Sequence, residues 1–454
     1  MNVTIRYCLL AGAGALLLTN VMAVPALPPA PAASPSGAPT DLLPQAPATQ
    51  APPAKQDNLQ SWTLADARAL LTLLKGIDSE GLIPADYDID ALAKAIAAGE
   101  GPALNAAASH SFAWLIEDLR DGRTPMDSRQ QWFVVDPDAD AMPTAKVMAD
   151  ALASHDIAGV VARLTPVYPD YAALKQALAV TAKSDKQRIA LIQANMDRWR
   201  WLPRDLGKQY LITNIPEYQL RLTVNGKIIR TYRTIVGKPG KTATPQLAEV
   251  VEGVIFNPTW TVPQSIVKGE GLGARLLSNP ASAKAQGYKV TRSSDGTVTV
   301  VQQPGPKNSL GVVKLDMPNP HSIFLHDTPN KALFDTENRA YSHGCVRVQD
   351  ARTMAMTVAI FGNIKSKSDI PGIQQHVTEV ADSGEYTRVP ITNRLPVYIT
   401  YFTMGQDING QLRSFADIYG RDGSVLASFK KPRVANRPRQ SSEEVVEIVD
   451  DLQT

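Results

Sequence analysis

The sequence predicts an α+β protein in which a helical domain precedes a mostly β domain, and three observations carry this prediction. Apolar residues recur with helical spacing between Trp62 and about Arg200. From Tyr210 they alternate with a period of two, which is typical of strands. With 454 residues, 44% of them hydrophobic, the chain is long enough for two or three domains with their own cores. The net charge of +2 and the lack of a basic patch interleaved with aromatic residues argue against nucleic-acid binding.

Residues 1–23 are predicted to be an export signal, or a membrane anchor if the signal is not cleaved. An apolar run from Cys8 to Leu18 is followed by the small-residue cleavage site Val21-Met22-Ala23. Residues 24–57 are rich in Pro, Ala and Ser without apolar periodicity, which is typical of a disordered linker. After cleavage Cys345 is the single cysteine, so the exported protein holds a thiol that no internal disulfide uses.

Residues 58–203 are predicted to form a helical domain with a packing role. Thr63 is an N-cap candidate for a first helix, whose apolar residues recur from Leu64 to Leu74, and Gly76 marks its end. Turns rich in Gly, Pro and Asp separate the following helices. These are predicted at 89–98, 104–120, 144–154, 170–182 and 186–199.

Residues 204–425 are predicted to form the β domain, in which Asn225-Gly226 is a hairpin turn. Further strands are predicted at 249–256, 288–291, 297–302, 311–315 and 322–325, then a helix at 350–361 and strands at 396–403 and 417–422. Residues 264–303 interrupt the β pattern with glycines and a short helix.

Residues 426–454 are predicted to be a charged tail. It is basic from Lys430 onward and then acidic, which favours a solvated end. A short helix in EEVVEIVDDL that docks on a partner is the alternative.

Reactive side chains are concentrated between Pro320 and Asp350. Three of the six histidines (His321, His326 and His343) lie there with Cys345. A cysteine attacks as a thiolate, and a histidine within hydrogen-bond reach usually removes its proton. His343 shares a face with Cys345 if the segment is extended, whereas His326 reaches Cys345 if the long polar loop between them closes. The spacing alone leaves open which of the two is the base.

Other readings of this stretch remain open. Gly344 leaves the backbone unencumbered, so that N–H groups of residues 343–345 are candidates for an oxyanion hole. A lone cysteine is most often a buried apolar residue. A zinc site of His326, His343 and Cys345 is a second alternative, although the spacing fits no common zinc pattern and a fourth ligand is not evident. His321 is assigned no role.

The motif Ser342–Arg347 (SHGCVR), with HDTP beginning 19 residues before the cysteine, resembles the signature of the L,D-transpeptidases with a YkuD catalytic domain. The closer similarity is to the periplasmic YcbB-like branch, and it extends over about residues 60–425. The other segments that carry it are NMDRWRWLP, FNPTWTVPQSI, PGPKNSLGVVKLDMPN and PVYITYFT. The resemblance implies a helical scaffold domain, a β-sandwich catalytic domain and a capping flap formed by residues 264–303.

The resemblance also implies roles for the site residues. His326 would be the base that takes the proton of Cys345, with the Asp327 carbonyl orienting its ring. The residues implied in the oxyanion hole, in bracing the loop or in substrate contacts are His343, Gly344, Ser342 and Arg347. Trp260 and Tyr341 would line the donor groove, although both residues are equally candidates for the core.

The implied reaction is acyl transfer on peptidoglycan stem peptides in the periplasm. Cys345 would attack a tetrapeptide stem, release D-Ala, and pass the acyl group to an amine of a second stem, which gives a 3-3 cross-link. The acyl-enzyme would also react with carbapenems, and no metal or organic cofactor is implied.

Two alternative functions are compatible with the same motif. With water or a protein amine as acceptor, the enzyme would be an L,D-carboxypeptidase or endopeptidase, or would tether an outer-membrane or periplasmic protein to the wall. The other alternative is a non-catalytic wall-binding scaffold. The intact Cys345, His326, His343 and Arg347 argue against it.

Overall fold

The computed structural model describes residues 60–134 and 138–434. The predicted export signal, the linker up to Asp57 and the helix in EEVVEIVDDL lie outside these residues. Within the described ranges no helix is both long and apolar enough to cross a membrane.

The first part of the described chain is helical, as its 3.6-residue pattern predicts. Its helices are α1 (Leu64–Lys75), α2 (Ile89–Ala98), α3 (Pro102–Asp121), α4 (Asp138–Ala141), α5 (Thr144–Ser154), α6 (Ile157–Leu164), α7 (Pro169–Val180) and α8 (Lys186–Arg200). Thr63 caps α1 by accepting the Asp66 N–H, as predicted. The short helices α4 and α6 were not predicted from the sequence.

The helices divide between two hydrophobic cores. Helices α1, α2, α3, α5 and α6 enclose one core, which includes Leu70, Leu104 and Phe112. Helices α7 and α8 instead share a core with the β domain, in which Trp199 and Phe402 stack with their ring centroids 4.5 Å apart. The helical and β regions are therefore joined by packed aromatic side chains.

The β domain consists of a closed sheet, a separate subdomain and peripheral helices. Its strands are β1 (Gln209–Asn214), β2 (Gln219–Val224), β3 (Lys227–Gly237), β4 (Leu247–Phe256), β5 (Trp260–Thr261), β6 (Tyr288–Arg292), β7 (Val298–Gln302), β8 (Val313–Asp316), β9 (Leu325–His326), β10 (Ala340–Ser342), β11 (Val346–Val348), β12 (Thr387–Thr400), β13 (Met404–Gln406) and β14 (Leu412–Ser414). Its helices are α9 (Gln264–Val267), α10 (Leu272–Ser278), α11 (Pro280–Ala285), α12 (Ala351–Asn363), α13 (Ile370–Asp382) and α14 (Asp422–Ser428).

Nine strands form the main sheet in the order β10-β3-β11-β9-β8-β4-β12-β1-β2, and β2 pairs back with β3. This last pairing closes the sheet on itself, so most of its strands have no open edge. Asn225 (φ 48°) and Gly226 (φ 73°) form the two-residue turn of the β2–β3 hairpin, which confirms that prediction. Helix α12 contributes Met354 and Val358 to the core of this sheet. The α+β class is confirmed.

Residues 260–302 form the flap, which has its own small core. A three-stranded sheet in the order β5-β7-β6 packs with helices α9 to α11 around Val267, Leu276 and Val300. The Asn308 side-chain amide donates to the carbonyl oxygens of Pro258, Gln302 and Gln303, and so ties together the two chains that enter and leave the flap.

Three sequence expectations need correction. Residues 417–422 form a turn and the start of α14, not a strand, because Asp417 accepts N–H groups of the following residues. The strand predicted at 322–325 is only Leu325–His326, since Ser322 has a left-handed backbone (φ 49°). Arg433, which was predicted to lie in the solvated tail, is buried and bonded to Asp118, so the chain is anchored to α3 at this residue.

Candidate active site

Strand pairing brings His326 next to the cysteine loop. Strands β9 and β11 are parallel, with Leu325 opposite Val346 and His326 opposite Arg347. Cys345 immediately precedes β11. The polar loop after His326 includes a 3₁₀ helix (Lys331–Asp335) and returns the chain to this position. The loop closure predicted from the sequence is therefore achieved by a parallel ladder.

The Cys345 side chain is half-buried, and its Sγ lies 3.6 Å from the carbonyl oxygen of Ser322. Asn319 holds the turn that presents this carbonyl. Its Oδ1 accepts the N–H of Ile323 and its Nδ2 donates to the Ile323 carbonyl. In this structure the thiol therefore donates a hydrogen bond to the backbone oxygen of Ser322.

The His326 imidazole is buried beside two backbone partners, Asp327 and Leu310. Its Nδ1 lies 2.5 Å from the carbonyl oxygen of Asp327, which accepts a hydrogen bond when Nδ1 carries the proton. In that tautomer Nε2 keeps its lone pair. Burial, followed by the charges of Arg347 and Lys314, lowers the pKa of His326 to about 3. The ring is neutral at physiological pH.

The depressed pKa makes His326 a source of acid sensitivity. Between pH 3 and about 6.5 the unfolded chain binds a proton that folded His326 does not, so stability decreases as pH falls through this window by up to about 1.4 kcal/mol per pH unit. We expect the free energy of unfolding, measured by urea titration, to fall about 2–3 kcal/mol more in wild type than in His326→Gln between pH 6.5 and 4.5.

Burial raises the pKa of the Asp118 carboxyl to about 6 and that of Glu249 to about 7, so these two groups increase stability as the pH falls. Their contribution is the same in wild type and in His326→Gln and cancels when the two proteins are compared. Equal slopes in wild type and His326→Gln would contradict a buried neutral imidazole.

The Ser342–Cys345 loop is held from both sides. The Ser342 hydroxyl donates to the Cys345 carbonyl at 2.6 Å and accepts the Gly344 N–H at 3.2 Å. Thr244 donates its hydroxyl to the Gly344 carbonyl at 2.6 Å. Gly344 has φ 121°, which favours glycine. Because its N–H is taken by Ser342, the expectation that Gly344 supplies an oxyanion-hole donor does not hold in this conformation.

His343 contacts the flap. Its Nε2 lies 2.8 Å from Glu270 Oε1, in the segment between α9 and α10, and both side chains are half-exposed. The structure therefore pairs His343 with a carboxylate. Across the described residues no three His, Cys, Asp or Glu side chains are arranged to hold a metal ion, so the zinc alternative has no ligand set there.

The thiol opens into a cavity of about 330 Å³ between the closed sheet and the flap. Three cationic side chains line it, Arg275, Lys314 and Arg347. Lys314 is buried with its Nζ 3.6 Å from the centre of the Phe324 ring. Burial lowers the pKa of Arg347, and a thiolate formed at Cys345 opposes this shift. Arg347 Nε has no hydrogen-bond partner within the described ranges. The cavity is suited to an anionic group near the thiol.

The two aromatic groove candidates differ in position. Trp260, in β5, lines the cavity, and its contact with a donor peptide stays a prediction. Tyr341, in β10, is half-buried but is not among the residues that line the cavity, so the structure gives it no groove contact.

Comparison with known families agrees with this geometry. Residues 208–391 match the model of the L,D-transpeptidase catalytic domain of the YkuD family, and residues 55–178 match a scaffold domain. Residues 208–391 are thus similar to a YkuD L,D-transpeptidase catalytic domain.

The relatives that match this region cover only part of the chain. A curated Haemophilus influenzae protein named "Putative L,D-transpeptidase" is 28% identical over 230 residues, which are 47% of this chain and 45% of that protein. The chain thus spans less than half the length of this relative. A solved L,D-transpeptidase from Mycobacterium smegmatis is 13% identical, covers 42% of this chain and 58% of that chain, and has a TM-score of 0.21. L,D-transpeptidase 1 from Mycobacterium tuberculosis is 12% identical, with coverage of 42% and 61% and a TM-score of 0.19.

Several residues around the candidate site were not predicted from the sequence. Thr244 and Glu270 contact the cysteine loop from distant segments, and Lys314 lies in the wall of the cavity. Lys314 lies inside the predicted strand 311–315 and could have been recognised as a site residue, because lysines are rarely buried without a role. Thr244 and Glu270 had no such signal, since their contacts span 100 and 73 residues of sequence.

Proposed function

We propose that this protein is a peptidoglycan L,D-transpeptidase of the YcbB-like branch, acting in the periplasm, and that it forms 3-3 cross-links through an acyl-enzyme on Cys345. The observation that carries this proposal is the pairing of β9 with β11, which places a neutral imidazole and the thiol loop in one cation-lined cavity. Export rests on residues 1–23, whose pattern is that of a signal.

The first half of the proposed reaction acylates the enzyme. His326 Nε2 takes the Cys345 proton as Sγ attacks the carbonyl of the third residue of a tetrapeptide stem. The tetrahedral oxyanion forms close to the cysteine loop, where the N–H groups of residues 343 and 345 are the candidate donors. The bond to D-Ala breaks, and the imidazolium returns its proton to the leaving amine.

The second half regenerates the thiol. An amine of the third residue of another stem attacks the thioester, His326 accepts the amine proton, and Cys345 leaves as thiolate and is reprotonated. Arg347 and Lys314 would hold the carboxylates of the donor peptide. Because the pKa of His326 is near 3, a resting thiolate–imidazolium pair is unfavourable, which agrees with a thiol that donates to Ser322.

The product mixture tests the proposal. Incubated with disaccharide-tetrapeptide, the protein should give a cross-linked dimer that has lost one D-Ala, and with meropenem it should gain the mass of one adduct. Mass spectrometry of products and intact protein measures both. Loss of D-Ala without a dimer would favour a hydrolase or a protein acceptor, and an unchanged substrate with no adduct would favour a non-catalytic scaffold.

We expect the Glu270–His343 contact to assist acylation by holding the flap against the cysteine loop. Both side chains are half-exposed, so the contact contributes at most about 1 kcal/mol. Glu270→Ala should therefore lower kcat/KM for acylation by the tetrapeptide about 2–5-fold.

Glu252→Ala is the matched control, because Glu252 is also an exposed partner of a basic side chain but is not part of the cavity. Stopped-flow acylation with meropenem and with tetrapeptide measures the effect. The same rate in all three proteins would show that this contact does not assist acylation.

A further inference from the structure

The sheet side of the catalytic cavity carries positive charge on both sides of the base. Lys314 in β8 and Arg347 in β11 are both register partners of His326 in β9. Residues directly opposite each other on adjacent strands project to the same face of a sheet. All three side chains line the cavity. The sheet therefore presents His326 in a row between two cations.

Glu270 supplies the opposite charge from the flap. It lies between α9 and α10, and among the described residues that line the cavity it is the single Asp or Glu. Its side chain is 54% exposed. Its Oε1 lies 2.8 Å from His343 Nε2, whereas its Oε2 has no hydrogen-bond partner in the described parts of the chain. One carboxylate oxygen is therefore open to a cationic ligand.

The acceptor of the proposed transfer is such a cation. It is an amine on a saturated carbon, whose pKa of about 8–10 makes it an ammonium at neutral pH. The cations Arg275, Lys314 and Arg347 repel an ammonium, while they attract the carboxylates of the donor stem. Within the described lining of the cavity, an ammonium thus finds a favourable charge only at Glu270.

The ammonium also has to lose two protons before the new amide is complete. The first must leave before the nitrogen can attack, and the second leaves as the C–N bond forms. His326 accepts the second proton in the proposed reaction. The pKa of His326 is about 3, far below that of the ammonium, so His326 is a poor acceptor of the first. Another acceptor is therefore needed in the cavity.

His343 is placed to be this acceptor. It lines the cavity two residues before Cys345, and its ring is 40% exposed, so a proton can pass from it to water. When Nε2 carries the hydrogen that Glu270 accepts, Nδ1 keeps its lone pair. The neighbouring carboxylate then stabilises the imidazolium that forms. The contact with Glu270 thus both orients His343 and favours its protonation.

We propose that Glu270 and His343 form the acceptor subsite, in which Glu270 binds the ammonium of the acceptor stem and His343 removes its first proton. This inference rests on the proposed function. The neutral amine attacks the thioester carbonyl and gives its second proton to His326. The C–S bond breaks, and its electron pair goes to Cys345 Sγ, which is then reprotonated. The first proton passes from His343 to water. Glu270 thereby favours an amine over water as the acceptor.

The fate of the acyl-enzyme with a charged and with an uncharged amine tests this subsite. The donor is a disaccharide-tetrapeptide whose third-residue amine is acetylated, so that it cannot serve as acceptor. The acceptors are a disaccharide-tripeptide, which carries the ammonium, and hydroxylamine, which is uncharged at neutral pH. Mass spectrometry measures the ratio of amide or hydroxamate to hydrolysed acid. This ratio counts only acyl-enzyme that has formed, so it does not depend on how much of a variant folds or acylates.

Glu270→Gln keeps an oxygen for the His343 N–H and removes the charge. It should lower the product ratio with the tripeptide by about 10-fold or more, the value of a charge-assisted hydrogen bond, and leave the ratio with hydroxylamine within about 2-fold of wild type. His343→Asn should show the same selectivity for the charged acceptor, with a loss of about 10-fold or more. Glu252→Gln, which removes an exposed carboxylate outside the cavity, is the matched control with wild-type ratios.

The outcomes separate this inference from the proposed function. An unchanged tripeptide ratio in Glu270→Gln, beside a wild type that forms amide, overturns the acceptor subsite alone. An equal loss with both acceptors assigns Glu270 to holding the flap and also overturns the subsite. A wild type that forms a meropenem adduct but no amide with either acceptor overturns the proposed transpeptidation and the subsite together.

Discussion

Cys345→Ala is expected to form no meropenem adduct and no cross-linked dimer, with the rate of tetrapeptide acylation reduced by about 10⁴-fold or more. The physical reason is that no other side chain in the cavity supplies a thiolate in the described structure. Intact-protein mass spectrometry measures the adduct, and chromatography of the muropeptides measures the dimer.

The fold should survive this substitution, because the loop is held by backbone oxygens. Ser342 bonds the Cys345 carbonyl and Thr244 bonds the Gly344 carbonyl, and neither needs the thiol. A melting temperature within about 2 °C of wild type is the control for folding. An adduct that persists in Cys345→Ala would place the nucleophile elsewhere and remove the basis of the proposed mechanism.

His326→Asn is expected to lower kcat/KM for acylation by about 10²–10⁴-fold, the usual contribution of a positioned general base. Its Nδ1 bond to the Asp327 carbonyl leaves Nε2 as the acceptor of the thiol proton, and asparagine has no equivalent basic nitrogen. Rates of acylation across pH 5–9 measure the effect.

His343→Asn is the matched variant, since His343 is the other histidine beside Cys345. Its ring is half-exposed and bonded to Glu270, so we expect less than a 10-fold loss. This pair of variants decides between the two candidate bases that spacing alone did not separate. A larger loss in His343→Asn than in His326→Asn would reverse the assignment.

The features that were predicted correctly depend on residues that are close together in the sequence. Helices α2 and α5 follow their apolar periodicity to the predicted ends, and the Asn225-Gly226 turn follows from its tolerance of positive φ. The SHGCVR motif located the thiol loop. These features depend on residues close together in sequence, where propensity and pattern act.

Features that depend on contacts between residues far apart in the sequence could not be predicted. Strand β9 has two residues, and its parallel pairing with β11 depends on how the whole sheet closes. Thr244 and Glu270 acquire their positions from segments 73–100 residues away from their partners. The Gly344 N–H donates to the Ser342 hydroxyl and is therefore not available as an oxyanion-hole donor. This contact depends on one rotamer of the Ser342 side chain, which no sequence pattern predicts.

The buried pair of Asp118 and Arg433 joins an early part of the chain to a part that is synthesised much later. Asp118 lies fully buried in α3, and Arg433, 315 residues later, donates to it at 3.0 Å, while Arg123 bonds the carbonyl oxygens of Ser428 and Lys431. A nascent chain that ends before these residues must leave Asp118 without its cation, and an unpaired buried charge costs about 3–5 kcal/mol. The full stability of α3 therefore depends on a residue that is synthesised 315 positions later.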